Sequence, residues 1–85
     1  MSWSAEVVEG AMRATDPAVT QLTTSLTRAL RRLGDVGEPT TAAQIAAQAY
    51  GALRREHAPA AERINQVMHY LARLEEAGKE EGATR

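Results

Sequence analysis

The sequence has no cysteine and no phenylalanine, and its aromatic residues are one tryptophan and two tyrosines. The lack of cysteine excludes disulfide bonds, thiol nucleophiles and cysteine-ligated zinc, and it fits the reducing cytoplasm in which we expect the protein to act. Strand-favouring runs of Val, Ile, Tyr and Phe are also missing, which argues against a sheet. The core should therefore consist of Leu, Val, Ile, Met and Ala on closely packed helices.

Long hydrophobic runs are absent as well. No segment approaches the roughly 20 apolar residues that cross a bilayer, and the N-terminus has no basic region followed by an apolar stretch, so we expect neither a membrane partner nor a signal peptide. The sequence lacks a glycine-rich phosphate loop and a serine nucleophile motif. His57 and His69 are separated by a helix break and have no convincing carboxylate pair. We therefore expect no enzymatic activity, no catalytic residues, no metal and no cofactor.

Apolar residues recur at steps of three and four residues in four segments, which predicts an all-α, four-helix single domain. The first helix should span residues 4–14, with Ser4 as its N-cap. The second should begin at Asp16 and Pro17 and end at Gly34, a natural C-cap. Its predicted buried face contains Val19, Leu22, Leu26, Ala29, Leu30 and Leu33.

The third helix should begin at Thr40 or Thr41, after the breakers Gly37 and Pro39. Its apolar face contains Ala42, Ile45, Ala46, Ala49, Tyr50 and Leu53. This helix ends either near Gly51 or at about residue 55. The longer alternative favours a plain up-and-down bundle.

The fourth helix should carry Pro59 in its first turn, where proline loses no hydrogen bond. Its apolar face contains Ile64, Val67, Met68, Leu71 and Leu74. We expect the helix to close at Gly78, so that residues 79–85 form a polar tail.

The third predicted helix and the break after it have a recognisable pattern. Thr41 stands at a capping position, Ile45 and Ala46 stand where a buried Ile-Ala pair is found, and Gly51 stands near a turn glycine. This arrangement resembles the first part of a helix-turn-helix motif.

The fourth predicted helix extends the resemblance. Residues 62–68 are similar to the start of a recognition helix, and residues 74–78 are similar to the closing segment that leads into a wing. Residues 16–78 as a whole therefore resemble the three-helix core of a helix-turn-helix or winged-helix domain. The resemblance implies a small DNA-binding transcription regulator with its recognition helix near residues 60–77.

One polar side of the fourth helix fits this function. Glu62, Gln66, His69 and Arg73 follow one another at steps of four, three and four residues, and Arg63, Asn65 and Tyr70 flank them. Gln, Asn and Arg can form bidentate contacts with base edges, and His and Tyr commonly contact phosphate or base. The candidate DNA-binding residues are Arg54, Arg55, Arg63, Asn65, Gln66, His69 and Arg73. The alternative is an ordinary solvated helix face.

Charge is unevenly distributed along the chain. From residue 28 to residue 73, seven arginines stand against four acidic residues, giving +3, whereas residues 1–27 and 74–85 each carry −2. A basic centre is compatible with a surface that faces DNA, although the net charge is only −1. Arg28, Arg31 and Arg32 belong to this centre, but for Arg31 and Arg32 we favour a role at the end of the second helix.

The predicted first helix offers an apolar stripe that a three-helix core does not need. Its members are Trp3, Val7, Val8 and Met12. Trp and Met are favoured at interfaces, so the stripe is a candidate dimer or partner contact, and a homodimer would place two recognition helices on successive half-sites. The competing function is a helical protein-interaction module, such as an antitoxin, an adaptor or a subunit of a larger assembly, without nucleic-acid binding.

Overall fold

The computed structural model describes residues 16–83, with side chains up to Lys79, and this part of the chain consists of helices and short connections, with no strand. Helix α1 spans Pro17–Asp35, α2 spans Pro39–Leu53 and α3 spans Ala58–Ala83. The all-α prediction is confirmed for these residues. They contain three helices rather than the four expected for the whole chain, and the helix predicted over residues 4–14 lies outside the described residues.

Helix α1 begins as the sequence predicts. The Oδ1 atom of Asp16 accepts a hydrogen bond of 2.8 Å from the backbone N–H of Ala18, and Pro17 occupies the first helical position. A carboxylate at this position satisfies one of the amides that have no intrahelical acceptor. The sequence therefore fixes the start of α1 locally.

The end of α1 differs from the prediction. The helix continues through Gly34 to Asp35, and Val36 is the C-cap. The residue with positive φ is Gly37, at 103°, and its N–H donates to the carbonyl of Gly34 over 3.1 Å. Gly37 supplies the left-handed conformation, which glycine adopts without a Cβ clash.

Helix α2 begins before the predicted threonines, because Pro39 is its first residue and Glu38 its N-cap. Thr41 is therefore not the capping residue, and its hydroxyl donates a long, 3.4 Å hydrogen bond to Oε2 of Glu38. Proline is well suited to the first position, because its fixed φ is helical and it has no N–H to satisfy. The helix passes through Gly51 but ends at Leu53, two residues short of the longer alternative.

The connection from α2 to α3 consists of residues 54–57. The N–H of His57 donates to the carbonyl of Leu53 over 2.8 Å, and the carbonyl of His57 accepts from Ala61 over 3.0 Å. The connection is thus hydrogen-bonded to the helices on both sides. Pro59 is the second residue of α3, within the first turn as predicted.

Helix α3 is longer than predicted: it continues through Gly78 to Ala83 instead of giving way to a polar tail, so residues 74–78 lie within the helix and do not lead into a wing. Ala77, Lys79 and the glutamates that follow are good helix formers, and they outweigh the cost of about 1 kcal/mol that one glycine imposes. Glu75 and Lys79 also have the favourable spacing of four residues, with the acid on the N-terminal side. None of the described helices is long and apolar enough to span a membrane.

All three helices contribute to one core, and α3 contributes most of the large side chains. The buried cluster consists of Leu30, Ala42, Ala46, Ile64, Val67 and Leu71, with Met68 and Leu74 packed against it. The predicted apolar face of α3 is confirmed. On α2 the buried residues are the two alanines, whose small size allows close helix packing, whereas Ile45 is 38% exposed. The expectation of a buried Ile-Ala pair is therefore wrong for its isoleucine.

The buried side of α1 is rotated from the predicted one. Thr23, Thr27, Leu30 and Gly34 are buried, whereas Leu22 is 69% exposed and Ala29 is exposed. The hydroxyl of Thr23 donates to the carbonyl of Val19 over 2.7 Å, and that of Thr27 donates to Thr24 over 2.9 Å. These bonds satisfy the hydroxyls within the helix, so the threonine methyl groups can pack in the interior.

Candidate nucleic-acid interface

The side of α3 that faces away from the core carries the polar residues expected there. Glu62, Gln66, His69 and Arg73 are all exposed, while Ile64, Val67 and Leu71 are buried. Steps of three and four residues keep side chains on one side of a helix, so these four form a continuous strip about three turns long. The strip is accessible to a ligand that lies along α3.

Two further candidates stand at the edges of this strip. Arg63 and Asn65 are partly buried, and they lie about 200° apart around α3, since each residue advances the helix by about 100°. They therefore flank the exposed strip from opposite edges. A ligand that covers the strip would contact both.

The connection between α2 and α3 presents two more arginines at the start of this strip. Arg54 and Arg55 are both exposed, and the N–H of Arg54 donates to the carbonyl of Tyr50 over 3.0 Å. Their backbone is thus tied to the end of α2. With four residues between the two helices, the connection has the length of a helix-turn-helix turn, which the sequence alone had left open.

Tyr70 stands apart from the strip because its side chain is already engaged. Its hydroxyl donates a hydrogen bond to Oδ1 of Asp35, and the guanidinium carbon of Arg31 lies 4.7 Å from the centroid of its ring, within the range of a cation–π contact. These contacts tie the end of α1 to α3. Arg31 was expected to act at the end of α1, and the structure adds the ring of Tyr70 as its partner.

The same contacts affect the ionisation of Tyr70. The hydrogen bond to Asp35, some burial and the negative charge of that carboxylate raise the pKa of the tyrosine above its ordinary value of 10.0, while the positive charge of Arg31 acts in the opposite direction. Ionisation would remove the proton that the hydroxyl donates and place two negative charges side by side. The neutral phenol is therefore the form that the folded protein favours.

A second surface feature is an apolar groove between α1 and α2, which the sequence did not predict. Its lining residues are Val19, Leu22, Thr23, Leu26, Ala49, Ala52 and Leu53, and its volume is about 250 Å³. No signal within α1 alone would have found it, because the apolar residues of this helix allow more than one rotation about its axis. Once Thr23 and Thr27 are turned towards the interior, Leu22 must face another side, because it precedes Thr23 by one residue and so lies about 100° around the helix.

Two expectations concern features outside this surface. The proposed interface residues Trp3, Val7, Val8 and Met12 lie outside the described residues. Within the part of the chain that the structure describes, no group of three or more histidine, aspartate or glutamate side chains could hold a metal ion.

Comparisons with protein families, with curated proteins and with solved structures give no match to this chain.

Proposed function

We propose that this chain binds double-stranded DNA as a small transcription regulator, with the exposed strip of α3 in the major groove. The observation that carries this proposal is the four-residue connection, residues 54–57, which leads with two exposed arginines into an exposed polar helix face. In helix-turn-helix proteins the second helix of the motif enters the major groove and its N-terminal residues contact base edges. Helices α2 and α3 would supply the motif.

The charge along α3 favours contact through its N-terminal half. Residues 54–73 contain four arginines and two glutamates, giving +2, whereas residues 74–83 contain one lysine and four glutamates, giving −3. Phosphates attract the first segment and repel the second. DNA would therefore lie against the connection and the first four turns of α3, and the acidic end would project away from it.

The residue types suggest a division of roles. Arg54, Arg55 and Arg63 neutralise phosphates and give a salt-dependent affinity. Asn65 and Gln66 have amides that can form bidentate contacts with adenine, and Arg73 and His69 contact bases or phosphates further along the groove. The partly buried positions of Arg63 and Asn65 limit their reach, so Gln66 is the best candidate for base readout.

The test is fluorescence anisotropy of a labelled random-sequence duplex titrated with the full chain at several salt concentrations. We expect weak binding whose logarithm falls linearly with the logarithm of salt concentration. The double substitution Arg54→Ala/Arg55→Ala should reduce the magnitude of that slope by about 2, because each lost phosphate contact removes about 1. Gln66→Ala should leave the slope on random DNA unchanged and weaken binding only to a selected sequence.

Arg28→Ala is the matched control, since it removes an equal charge per residue from an exposed position on α1. A decrease of the salt slope by about 1 with Arg28→Ala, equal per arginine to that of Arg54→Ala/Arg55→Ala, would mean that general charge, not the connection, controls binding. Absence of binding at low salt and up to about 100 μM protein, the weak end of non-specific affinity, would exclude autonomous DNA binding.

The apolar groove favours a second candidate function, a helical protein-interaction module. An amphipathic helix can place its apolar face in such a groove, and Leu22 is the exposed side chain that it would cover. The two functions separate on two variants. Arg54→Ala/Arg55→Ala should weaken DNA binding and leave a groove-bound partner in place, whereas Leu22→Gln should release the partner and leave DNA binding unchanged.

A further inference from the structure

The apolar groove between α1 and α2 is a surface without a partner among the described residues. Six of its seven lining residues are apolar, and the hydroxyl of the seventh, Thr23, already donates to the carbonyl of Val19. Leu22 is 69% exposed at this groove. Covering such a surface removes apolar area from water and lowers the free energy, so we expect an apolar occupant in the groove.

The groove lies on a side of the α1–α2 hairpin that α3 leaves open. Its lining comes from the first half of α1 and the last turn and a half of α2, and none of its lining residues belongs to α3. From Val19 to Leu26 the groove extends about 10 Å along α1. A helix of three turns would cover it.

The N-terminal residues outside the described part join it at Asp16, close to this groove. Fifteen residues precede Asp16, and Val19 is less than one helical turn beyond it. Asp16 has extended backbone angles, φ −57° and ψ 119°, and the following proline disfavours the helical conformation at this position. Helix α1 therefore begins at Pro17 and is not continued through Asp16.

We propose that the N-terminal segment, residues 3–12, docks in this groove as a fourth helix antiparallel to α1. A helix over residues 4–14 would be about 16 Å long, enough to cover the groove. Residues 15 and 16 would form the connection, and two residues are a usual length between neighbouring helices.

The side chains of the segment match the groove. Val7, Val8, Ala11 and Met12 form one apolar stripe at helical spacing, and Trp3 stands one turn before it. Because the segment is tethered beside the groove, its effective concentration there is in the millimolar range, which favours it over a second copy or another protein at ordinary concentrations. In this arrangement the apolar stripe contacts a groove of its own chain, in place of the dimer contact expected from the sequence.

Trp3 allows a direct test, because it is the only tryptophan in the chain. We expect its emission in the native full-length protein to be blue-shifted from that of the unfolded protein, and its quenching by acrylamide to be reduced. Both signals should be independent of protein concentration. Leu22→Gln should shift the emission to the red and increase quenching, because it places an amide in the groove while preserving helix propensity.

Val36→Gln is the control, since Val36 is 65% exposed and lies outside the groove; it should leave Trp3 emission unchanged. Val8→Gln changes the segment instead of the groove and should reproduce the effect of Leu22→Gln. It also provides the test if circular dichroism shows that Leu22→Gln unfolds the helices. Native emission equal to that of the unfolded chain would overturn the proposal. A blue shift that disappears on dilution would also overturn it and indicate a second copy in the groove.

Discussion

Two glycines near the C-terminal ends of α1 and α2 should respond in opposite ways to the same substitution. A Cβ atom added to Gly34 would lie 2.6 Å from Cδ2 of Leu71 and 3.0 Å from Cδ1 of Leu74. A Cβ atom added to Gly51 would meet nothing within 4 Å. Both glycines are helical and neither has positive φ, so alanine is compatible with the backbone at both positions.

The expected magnitudes follow from these distances. Gly51→Ala should stabilise the protein by about 0.5–1 kcal/mol, because alanine loses less conformational entropy on helix formation. Gly34→Ala should gain a similar amount from the backbone but lose about 1–3 kcal/mol to overpacking, since Leu71 is fully buried and cannot move aside freely. The two variants should therefore differ in free energy of unfolding by about 1–3 kcal/mol, with Gly34→Ala the less stable.

Thermal and urea unfolding followed by far-ultraviolet circular dichroism would measure this difference. At about 4–8 °C per kcal/mol for a domain of this size, the Tm of Gly34→Ala should lie at least about 4 °C below that of Gly51→Ala. In a Leu71→Val background, which removes the atom nearest to the new Cβ, the penalty of Gly34→Ala should shrink, a coupling that a double-mutant cycle would detect. Equal stabilisation by the two glycine substitutions would refute the close packing of α1 on α3.

Two further predictions concern contacts at the ends of α1. Because the folded state raises the pKa of Tyr70, its hydrogen bond should contribute its full stability below about pH 10, the pKa of tyrosine in an unfolded chain, and this contribution should disappear as the pH rises through the folded pKa. Tyr70→Phe should remove this alkaline decline in urea midpoints, and an unchanged pH profile would contradict the contact with Asp35. Asp16→Ala should lower the free energy of unfolding in urea by about 1 kcal/mol, because its side chain caps α1. Glu38→Ala, at an N-cap without a side-chain cap bond, should change it by less than about 0.5 kcal/mol. Equal losses would show that the cap bond of Asp16 does not stabilise the protein.

The candidate DNA-binding strip was accessible to sequence reasoning because it depends only on helix geometry. Once α3 is helical and its apolar residues face the core, the spacing places Gln66, His69 and Arg73 on the opposite side. The length of the connection before α3 was not accessible in this way. Gly51 is a helix breaker by propensity, yet α2 passes through it and stops at Leu53, because tertiary packing of one side of a helix outweighs a propensity cost of about 1 kcal/mol.

The position of the apolar groove could not be predicted from the sequence either. The apolar stripe on α1 is wide enough to be buried in more than one rotation about the helix axis. The placement of α3 selects the rotation that turns Thr23 and Thr27 inwards, and that choice leaves Leu22 on the groove side. No pattern within α1 alone contains this information.

Four features could be predicted from the sequence: the helical class, the start of α1 at Asp16 and Pro17, the first turn of α3 at Pro59 and the buried face of α3. Each of these follows from interactions between residues no more than a few positions apart: side-chain caps, the fixed φ of proline and the helical repeat. Three others could not be predicted: which side of α1 is buried, why Gly34 must be small and where the apolar groove lies. Those features depend on how three helices share one core, which is set by contacts between residues far apart in the chain.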